Sequence, residues 1–152
     1  QSTMGREPGA ITLDRGGTYT IVVGNDISTE LGTYTFKLWP VPQPDRFSLT
    51  VGDSVAKDRH GTGAGYIETF GAKDIYTFTA TPGQTVVFAF EGSSGNYIPW
   101  VVTDDLGAKV FDTTMGRAPG AVKLDRGGTY TITVGGDTSL ELGAYGFRLG
   151  AP

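Results

Sequence analysis

The single histidine, His60, is the first residue that could support catalysis. It lies beside Asp58 in the polar, glycine-flanked run Lys57–Gly61, and a Ser–His–Asp arrangement would need a serine to join this pair in space. The sequence contains no local motif of a zinc protease, a serine hydrolase or a phosphate-binding loop. A histidine in such a run is more often a solvated loop residue. The sequence therefore predicts that the protein is not an enzyme.

A first pair of acids, Asp104 and Asp105, is a candidate for calcium binding. The pair opens a turn that ends in Gly107. Paired carboxylates chelate calcium when carbonyl groups and further acids converge on them. The alternative, which these residue types favour, is an Asx-type turn between two strands.

A second pair, Asp137 and Glu141, recurs earlier in the chain as Asp26 and Glu30, each time in a hairpin loop that precedes Leu-Gly. Two acids fall short of the roughly six to eight oxygens that calcium takes. Carboxylates that cap turn amides are the alternative. The sequence thus predicts no cofactor and leaves calcium at these two acid pairs as the one candidate.

An aromatic pair, Trp100 and Tyr97, is the candidate ligand-binding feature. Both lie in the run Tyr97–Val102. If the pair is exposed, its rings form a platform that stacks on a sugar. The apolar neighbours favour a position of Trp100 in the core or at an interface, because large aromatic side chains dominate burial.

These residues lie on a pattern of short strands. Apolar and polar residues alternate most regularly in Asp74–Ala80, where Tyr76 and Phe78 should face the core. Glycine, proline and aspartate turns separate the runs, and the turn Asp125–Gly128 is expected to close a hairpin. The pattern predicts an all-β protein, an antiparallel, jelly-roll-like β-sandwich. The predicted strands are Arg46–Val51, Gly65–Glu68, Asp74–Ala80, Thr85–Phe90, Tyr97–Thr103, Lys109–Phe111, Ala121–Leu124, Thr129–Val134 and Ala144–Leu149.

The chain also contains an internal repeat. Residues 3–41 align without gaps with residues 114–152, at an offset of 111, with 26 identities in 39 positions. Core-type residues on a period of two are unchanged, which predicts the same strands in two successive domains. The unchanged pairs are Leu13/Leu124, Tyr19/Tyr130, Ile21/Ile132, Val23/Val134, Tyr34/Tyr145, Phe36/Phe147 and Leu38/Leu149.

The repeat sets the predicted domain organisation. Residues 1–39 are the closing third of a preceding repeat, residues 40–44 are a linker with three prolines, and residues 45–152 are one complete β-sandwich repeat. Prolines at this density make a stiff, extended connector. Trp39 has Gly150 as its counterpart, so the sandwich does not need it. The sequence predicts that Trp39, Pro40 and Pro42 pack between neighbouring domains.

Composition excludes several classes of function. The net charge is −4 and there is no basic cluster, which argues against binding to nucleic acid. The apolar runs are too short to insert in a membrane. There are no cysteines, so disulfides and thiolate metal sites are excluded.

The run of residues 71–90, GAKDIYTFTATPGQTVVFAF, resembles the signature of bacterial pre-peptidase C-terminal domains. The runs LDRGGTYTITV and LGAYGFRL, at residues 124–134 and 142–149, are similar to the closing hairpin of that family, and FSLTVGDSV, from Phe47, to its first strand. The resemblance implies a secreted or surface-exposed β-sandwich without catalysis of its own. Some relatives bind calcium through an acidic linker, whereas Asp45 is the only acid in the stretch Val41–Arg46.

The leading functional hypothesis is a structural repeat of a large bacterial protein, secreted or at the cell surface, that forms an extended stalk or filament. Its partners would be neighbouring copies of the repeat. The alternative is an adhesion module that binds polysaccharide, collagen or another extracellular surface. Two explanations remain for residues 1–42: they belong to a piece of a longer array, or they add to another subunit by strand exchange.

Overall fold

The computed structural model describes residues 9–24, 31–94, 97–137 and 141–152, and all regular structure within these ranges is β-strand. Each of the nine strands predicted for residues 45–152 is confirmed, with ends that differ by a few residues, and one short strand at Ser54–Val55 was not predicted. In chain order the strands are β1 (Asp45–Ser48), β2 (Ser54–Val55), β3 (Tyr66–Ile67), β4 (Lys73–Ala80), β5 (Thr85–Ser93), β6 (Pro99–Thr103), β7 (Lys109–Thr114), β8 (Gly120–Lys123), β9 (Gly128–Gly135) and β10 (Gly143–Gly150).

The strands form the two sheets of a β-sandwich, which confirms the predicted fold class. The first sheet has the order β1-β4-β9-β6-β7, and the second has the order β2-β10-β5-β8, with β3 paired to the start of β10. All pairs are antiparallel except β1 with β4, which is parallel. We call β1–β7 the body of the repeat and β8–β10 its closing third.

The core lies between the sheets and is built from alternate residues of both. In β4, Tyr76 and Phe78 are buried as predicted. Trp100 from β6 packs against Phe88 of β5 and Phe147 of β10, with ring centroids 6.3 and 5.5 Å away. Aromatic rings that meet edge-on or tilted in this way fill the space between the sheets and join them by dispersion and apolar burial.

The order of the strands corrects two expectations about hairpins. The turn Asp125–Gly128 was expected to close a hairpin, but β8 pairs with β5 in the second sheet while β9 pairs with β4 and β6 in the first. Likewise β9 and β10 were expected to form a closing hairpin, yet they lie in opposite sheets. Both connections cross from one sheet to the other, because a strand in each sheet is needed to cover the shared core.

The segment before the complete repeat differs most from its prediction. Its described residues, 9–24 and 31–44, form no strand, although their sequence matches strands β8–β10. The residues that β9 and β10 pair with belong to the body, and the chain contains one body, which its own closing third fills. We call residues 9–24 and 31–41 the upstream segment. Among the described residues there is no helix of a length and hydropathy that would cross a membrane.

The repeat supplies a matched pair of phenylalanines for a stability test. Phe147 is fully buried, whereas its counterpart Phe36 is 51% exposed. We expect Phe147→Ala to lower the free energy of unfolding by about 3–5 kcal/mol, because it leaves a cavity in the core. We expect Phe36→Ala to change it by less than about 0.5 kcal/mol. Urea unfolding of both variants measures the difference, and equal losses would contradict the placement of Phe36.

Candidate functional site

The upstream segment exposes the apolar side chains that the closing third buries. Tyr34, Phe36 and Leu38 are 57%, 51% and 72% exposed, while their counterparts in β10 are exposed by 2% or less. Leu13, Tyr19 and Ile21 are also more than half exposed. Tyr34 and Phe36 stack with their ring centroids 6.4 Å apart, and exposed apolar patches of this kind mark interaction surfaces. This surface is the candidate functional site.

The linker end of the upstream segment packs on the complete repeat. The ring of Trp39 meets Phe70 edge-on, with centroids 5.9 Å apart, and the ammonium of Lys37 lies 3.6 Å from the centre of the Trp39 ring. The side chain of Val41 lies against Gly71, where a Cβ atom would come within 3.0 Å of it. The contact between Trp39 and Phe70 lies next to the prolines of the linker. Packing of Trp39, Pro40 and Pro42 between neighbouring domains stays a prediction.

A second contact ties the start of the upstream segment to the loop after β9. The amide of Ala10 donates a hydrogen bond to the carbonyl oxygen of Asp137, at 2.8 Å. The carboxylate of Asp137 pairs with Lys73 at the start of β4, also at 2.8 Å. Two points of attachment therefore hold the upstream segment near the same end of the sandwich, close to Phe70 and Gly71.

The carboxylate of Asp104 serves the turn between β6 and β7. Its Oδ1 accepts hydrogen bonds from the amides of Leu106 and Ala108, at 3.0 and 2.8 Å, and its Oδ2 lies 3.8 Å from Nε of Arg126. This is the Asx-type turn given as the alternative to a calcium site. Asp105 lies on the other side of the turn, beside Gly128.

The second candidate pair, Asp137 and Glu141, belongs to no cluster of three acids within the part of the chain that the structure describes. Asp137 is paired with Lys73, and Glu141 lies beyond residues 138–140, which are outside the described ranges. Asp26 and Glu30 are also outside them. Among the described residues, no group of three or more His, Asp or Glu side chains converges in a way that would hold a metal ion.

The structure separates the two aromatic residues proposed as a ligand platform. Trp100 is fully buried, with its ring 5.1 Å from that of Phe111, whereas Tyr97 is 64% exposed. The platform expected from an exposed pair is therefore corrected: β6 turns alternate residues into the core, and Trp100 is one of them. Its indole N–H has no hydrogen-bond partner among the residues that the structure describes.

His60 and Asp58 are each engaged with backbone groups. Nε2 of His60 lies 3.0 Å from the carbonyl oxygen of Ser54, and Oδ1 of Asp58 accepts a hydrogen bond from the amide of Gly63 at 2.9 Å. Asp58 adopts a positive φ of 60°, a conformation that aspartate tolerates in tight turns. Both side chains thus stabilise the loop between β2 and β3.

A buried polar cluster beneath the sandwich surface was not foreseen. Asp74, 1% exposed, accepts hydrogen bonds from the hydroxyls of Tyr145 and Tyr76, and the two hydroxyls are 2.8 Å apart. The amide of Gly65 donates to the Tyr76 hydroxyl at 2.8 Å. Since Tyr76 is on β4 and Tyr145 is on β10, this cluster joins the two sheets. The alternation of Asp74–Ala80 already placed Asp74 on the same face as Tyr76, which was the available signal.

Burial changes the acidity of this cluster. Removal from water raises the pKa of Asp74 to about 6, although the hydrogen bonds from Tyr145 and Tyr76 act in the opposite direction. The negative charges of Asp45 and Glu68 raise it further. Burial also raises the pKa of the Tyr145 hydroxyl well above its ordinary value. The tyrosines therefore stay protonated and remain donors at any physiological pH.

Phe70 was also missed, and the sequence carried only an indirect signal for it. The replacement of Trp39 by Gly150 in the second copy showed that Trp39 is not needed inside a sandwich. It did not show which residue the indole would contact. That contact depends on the loop before β4, whose position is set by the tertiary structure.

Comparison with known proteins gives a structural likeness. No family model matches the sequence, and no curated protein matches it. Among solved structures, the chain is similar to the pre-peptidase C-terminal domain of a collagenase from Bacillus anthracis, with a TM-score of 0.50 and 14% identity. The match covers 74% of this chain and 99% of that domain. The protein therefore has the fold of a pre-peptidase C-terminal domain, as the sequence resemblance implied.

The pKa of Asp74 predicts a pH dependence of stability. Because the pKa is about 6 in the folded protein and 3.8 ordinarily, the folded state binds more protons between these values, and stability falls as pH rises through them. We expect a fall of about 2 kcal/mol from pH 4 to pH 7, on the scale of about 1.4 kcal/mol per pKa unit, because the carboxyl of the unfolded chain is itself partly protonated at pH 4. Urea unfolding at several pH values measures this fall, and Asp74→Asn should remove most of it.

Asp53→Asn is the matched control for this measurement. Hydrogen bonds from the amide and hydroxyl of Thr50 hold the pKa of Asp53 below its ordinary value, so this carboxyl titrates at lower pH. Its removal should leave the fall between pH 4 and pH 7 intact. An equal flattening in both variants would show that the dependence arises elsewhere.

Proposed function

We propose that this chain is a non-catalytic structural unit of a repeat protein on the outside of the cell, in which successive β-sandwiches follow one another in an extended stalk or filament. The observation that carries the proposal is the exposed apolar surface of the upstream segment, whose sequence is that of a second closing third. A segment of this sequence is suited to lie in a sandwich, and it is joined to the next sandwich by a short linker. In such an array each unit contacts mainly its neighbours.

The packing of the linker supports an extended shape. Trp39 lies against Phe70 and Val41 lies against Gly71, so residues before and within the proline-rich stretch contact the unit that comes next. Proline also restricts φ at positions 40, 42 and 44. A connector that is both stiff and packed limits the angles between two neighbouring units, which favours a rod over a flexible string.

The fold supports a location outside the cell. One solved structure with this fold, at 14% identity, is a domain of a collagenase. The absence of cysteine and the high content of threonine and glycine agree with an exported bacterial β-domain. His60 and Asp58 bind backbone groups, which favours the structural role over catalysis.

A module that binds polysaccharide or collagen has less support. Its sequence feature was an exposed pair at Trp100 and Tyr97, and Trp100 lies in the core. Tyr97 by itself offers one ring at the surface. Binding of either polymer that disappears on Tyr97→Ala would restore this alternative.

The proposal is tested by electron microscopy of a polypeptide with several complete repeats, joined through Trp39 and the linker of residues 40–44. We expect straight, thin rods with one density per repeat. Trp39→Gly, which places the residue of the second copy at this position, should remove the contact with Phe70 and produce bent chains. Tyr97→Ala is the control, since Tyr97 is exposed and outside the linker. Flexible chains in the unaltered protein would overturn the stalk.

A further inference from the structure

We propose that the upstream segment is a strand donor: it fills the body of a second copy of this repeat whose own closing strands do not occupy it. The proposal rests on the stalk function and names its joint. The body that receives the apolar side chains of residues 9–24 and 31–41 is thus like β1–β7 of this chain. The donated residues take the positions of β8, β9 and β10 in that body.

The first argument is the identity of the core-facing side chains. At all seven core positions the upstream segment carries the same residue type as the closing third, and every one of those residues in the closing third is exposed by 2% or less. A core tolerates few changes of volume or shape. A body that accepts Phe147 and Leu149 has the volume for Phe36 and Leu38, whereas Thr35 replaces the buried Gly146, where a Cβ atom would come within 3.1 Å of the carbonyl oxygen of Val55.

The second argument concerns the buried polar cluster. The body places Asp74 in the core, and the hydroxyl of Tyr145, from the closing third, donates to it. Tyr34 is the counterpart of Tyr145. A buried carboxyl without its donor is destabilising. The upstream segment thus carries, as Tyr34, the counterpart of the tyrosine whose hydroxyl donates to Asp74.

The third argument is that several turns of the upstream segment already have the backbone conformation of the matching turns in the closing third. The hydroxyl of Tyr19 donates to the carbonyl oxygen of Arg15 at 2.7 Å, and in the closing third Tyr130 donates to Arg126 at 2.8 Å. Three pairs of glycines agree as well, whereas Gly143 has a φ of 123° and its counterpart Gly32 lies outside the positive-φ region. The φ values are 76° and 76° for Gly9 and Gly120, 142° and 128° for Gly17 and Gly128, and 91° and 83° for Gly24 and Gly135.

This agreement matters because the surroundings of the two copies differ completely. Tyr130 is buried in a sandwich, whereas Tyr19 is 52% exposed. The bends therefore come from local sequence and do not require the body. A donor whose turns are preformed loses less conformational entropy when it docks.

The fourth argument is the place of the closing strands in the sheets. β9 lies between β4 and β6, and β10 lies between β2 and β5. A body without its closing third therefore has an open slot in each sheet, with unpaired backbone groups on both sides. A strand that enters such a slot forms hydrogen bonds along both edges, as in other forms of strand addition. The donor supplies a central strand to each sheet, and its counterpart of β8 pairs with β5 at the edge of the second sheet.

The chain has two segments with the closing sequence and one body. The test must therefore remove the chain's own closing strands from that body. Phe147→Asp does this, because it puts a carboxylate in the core and disables the chain's own β10. The upstream segment then remains as the one intact closing segment per body. Since the chain has no cysteine, a pair of introduced cysteines reports where the segment docks. Arg148 pairs with Ala89 of β5, and the counterpart of Arg148 is Lys37.

The experiment uses the full chain with Lys37→Cys, Ala89→Cys and Phe147→Asp. We expect dimers or larger assemblies by size exclusion with light scattering, the near-ultraviolet circular dichroism of a packed aromatic core, and a disulfide between positions 37 and 89 of different chains. The matched control adds Phe36→Asp, which should abolish the assemblies, the disulfide and the dichroism. Phe36→Asp with Phe147 intact should remain a folded monomer.

Two results would overturn the proposal. The first is that the Phe147→Asp chain is as unfolded as the chain with both substitutions, since the upstream segment then fails to close a body. The second is a monomer with the disulfide inside one chain, since the segment then closes its own body. Straight rods in the microscopy of joined repeats, together with either result, would leave the stalk in place and reject strand donation.

Discussion

The insertion of β9 and β10 between strands of the body is the constraint on which the rest of the structure depends. The final third of the repeat supplies a central strand to each sheet, and both strands pair along two edges. They also bring Tyr130, Ile132, Tyr145 and Phe147 into the core. Each sheet has a continuous core-facing surface only when its own strand of this pair is in place. Because the two strands lie in opposite sheets, the core between the sheets needs both of them. The body and the closing third therefore depend on each other for stability, and the last residues of the repeat complete the unit.

The hydrogen bonds of Asp74 join the sheets through polar groups within an otherwise apolar core. Asp74 and Tyr76 come from β4, and Tyr145 comes from β10, so the cluster forms only when the closing third is docked. An unsatisfied buried carboxyl is costly, while an apolar contact is not directional. The cluster thus specifies the register of β10 in a way that the surrounding aromatic rings do not. The same burial raises the pKa of Asp74, which makes the unit sensitive to pH.

The two copies of the closing sequence show how far one sequence determines a conformation. Gly17 and Gly128 have similar φ values, and Tyr19 and Tyr130 make the same hydrogen bond to the residue four positions earlier. These features are local, and they are present with or without a sandwich. Strand pairing and burial are absent from the described residues of the upstream segment, because both need a body as partner. In a repeat protein whose units share strands, the local turns would form first, and the sheets would form when the segment contacts a body.

Much of the fold was determined by the sequence alone. Alternation and turn residues placed nine strands and the core face of β4, since these depend on neighbouring residues and on the period of a strand. The tertiary structure decided which strands share a sheet, and it replaced the expected hairpins around Asp125–Gly128 and β9–β10 with crossings between sheets. It also decided that Trp100 is buried, that Asp74 meets Tyr145, and that Trp39 meets Phe70. Those outcomes depend on which distant segments pack together, and the upstream segment shows the reason directly: the same side chains are core or surface according to whether a body is there to receive them.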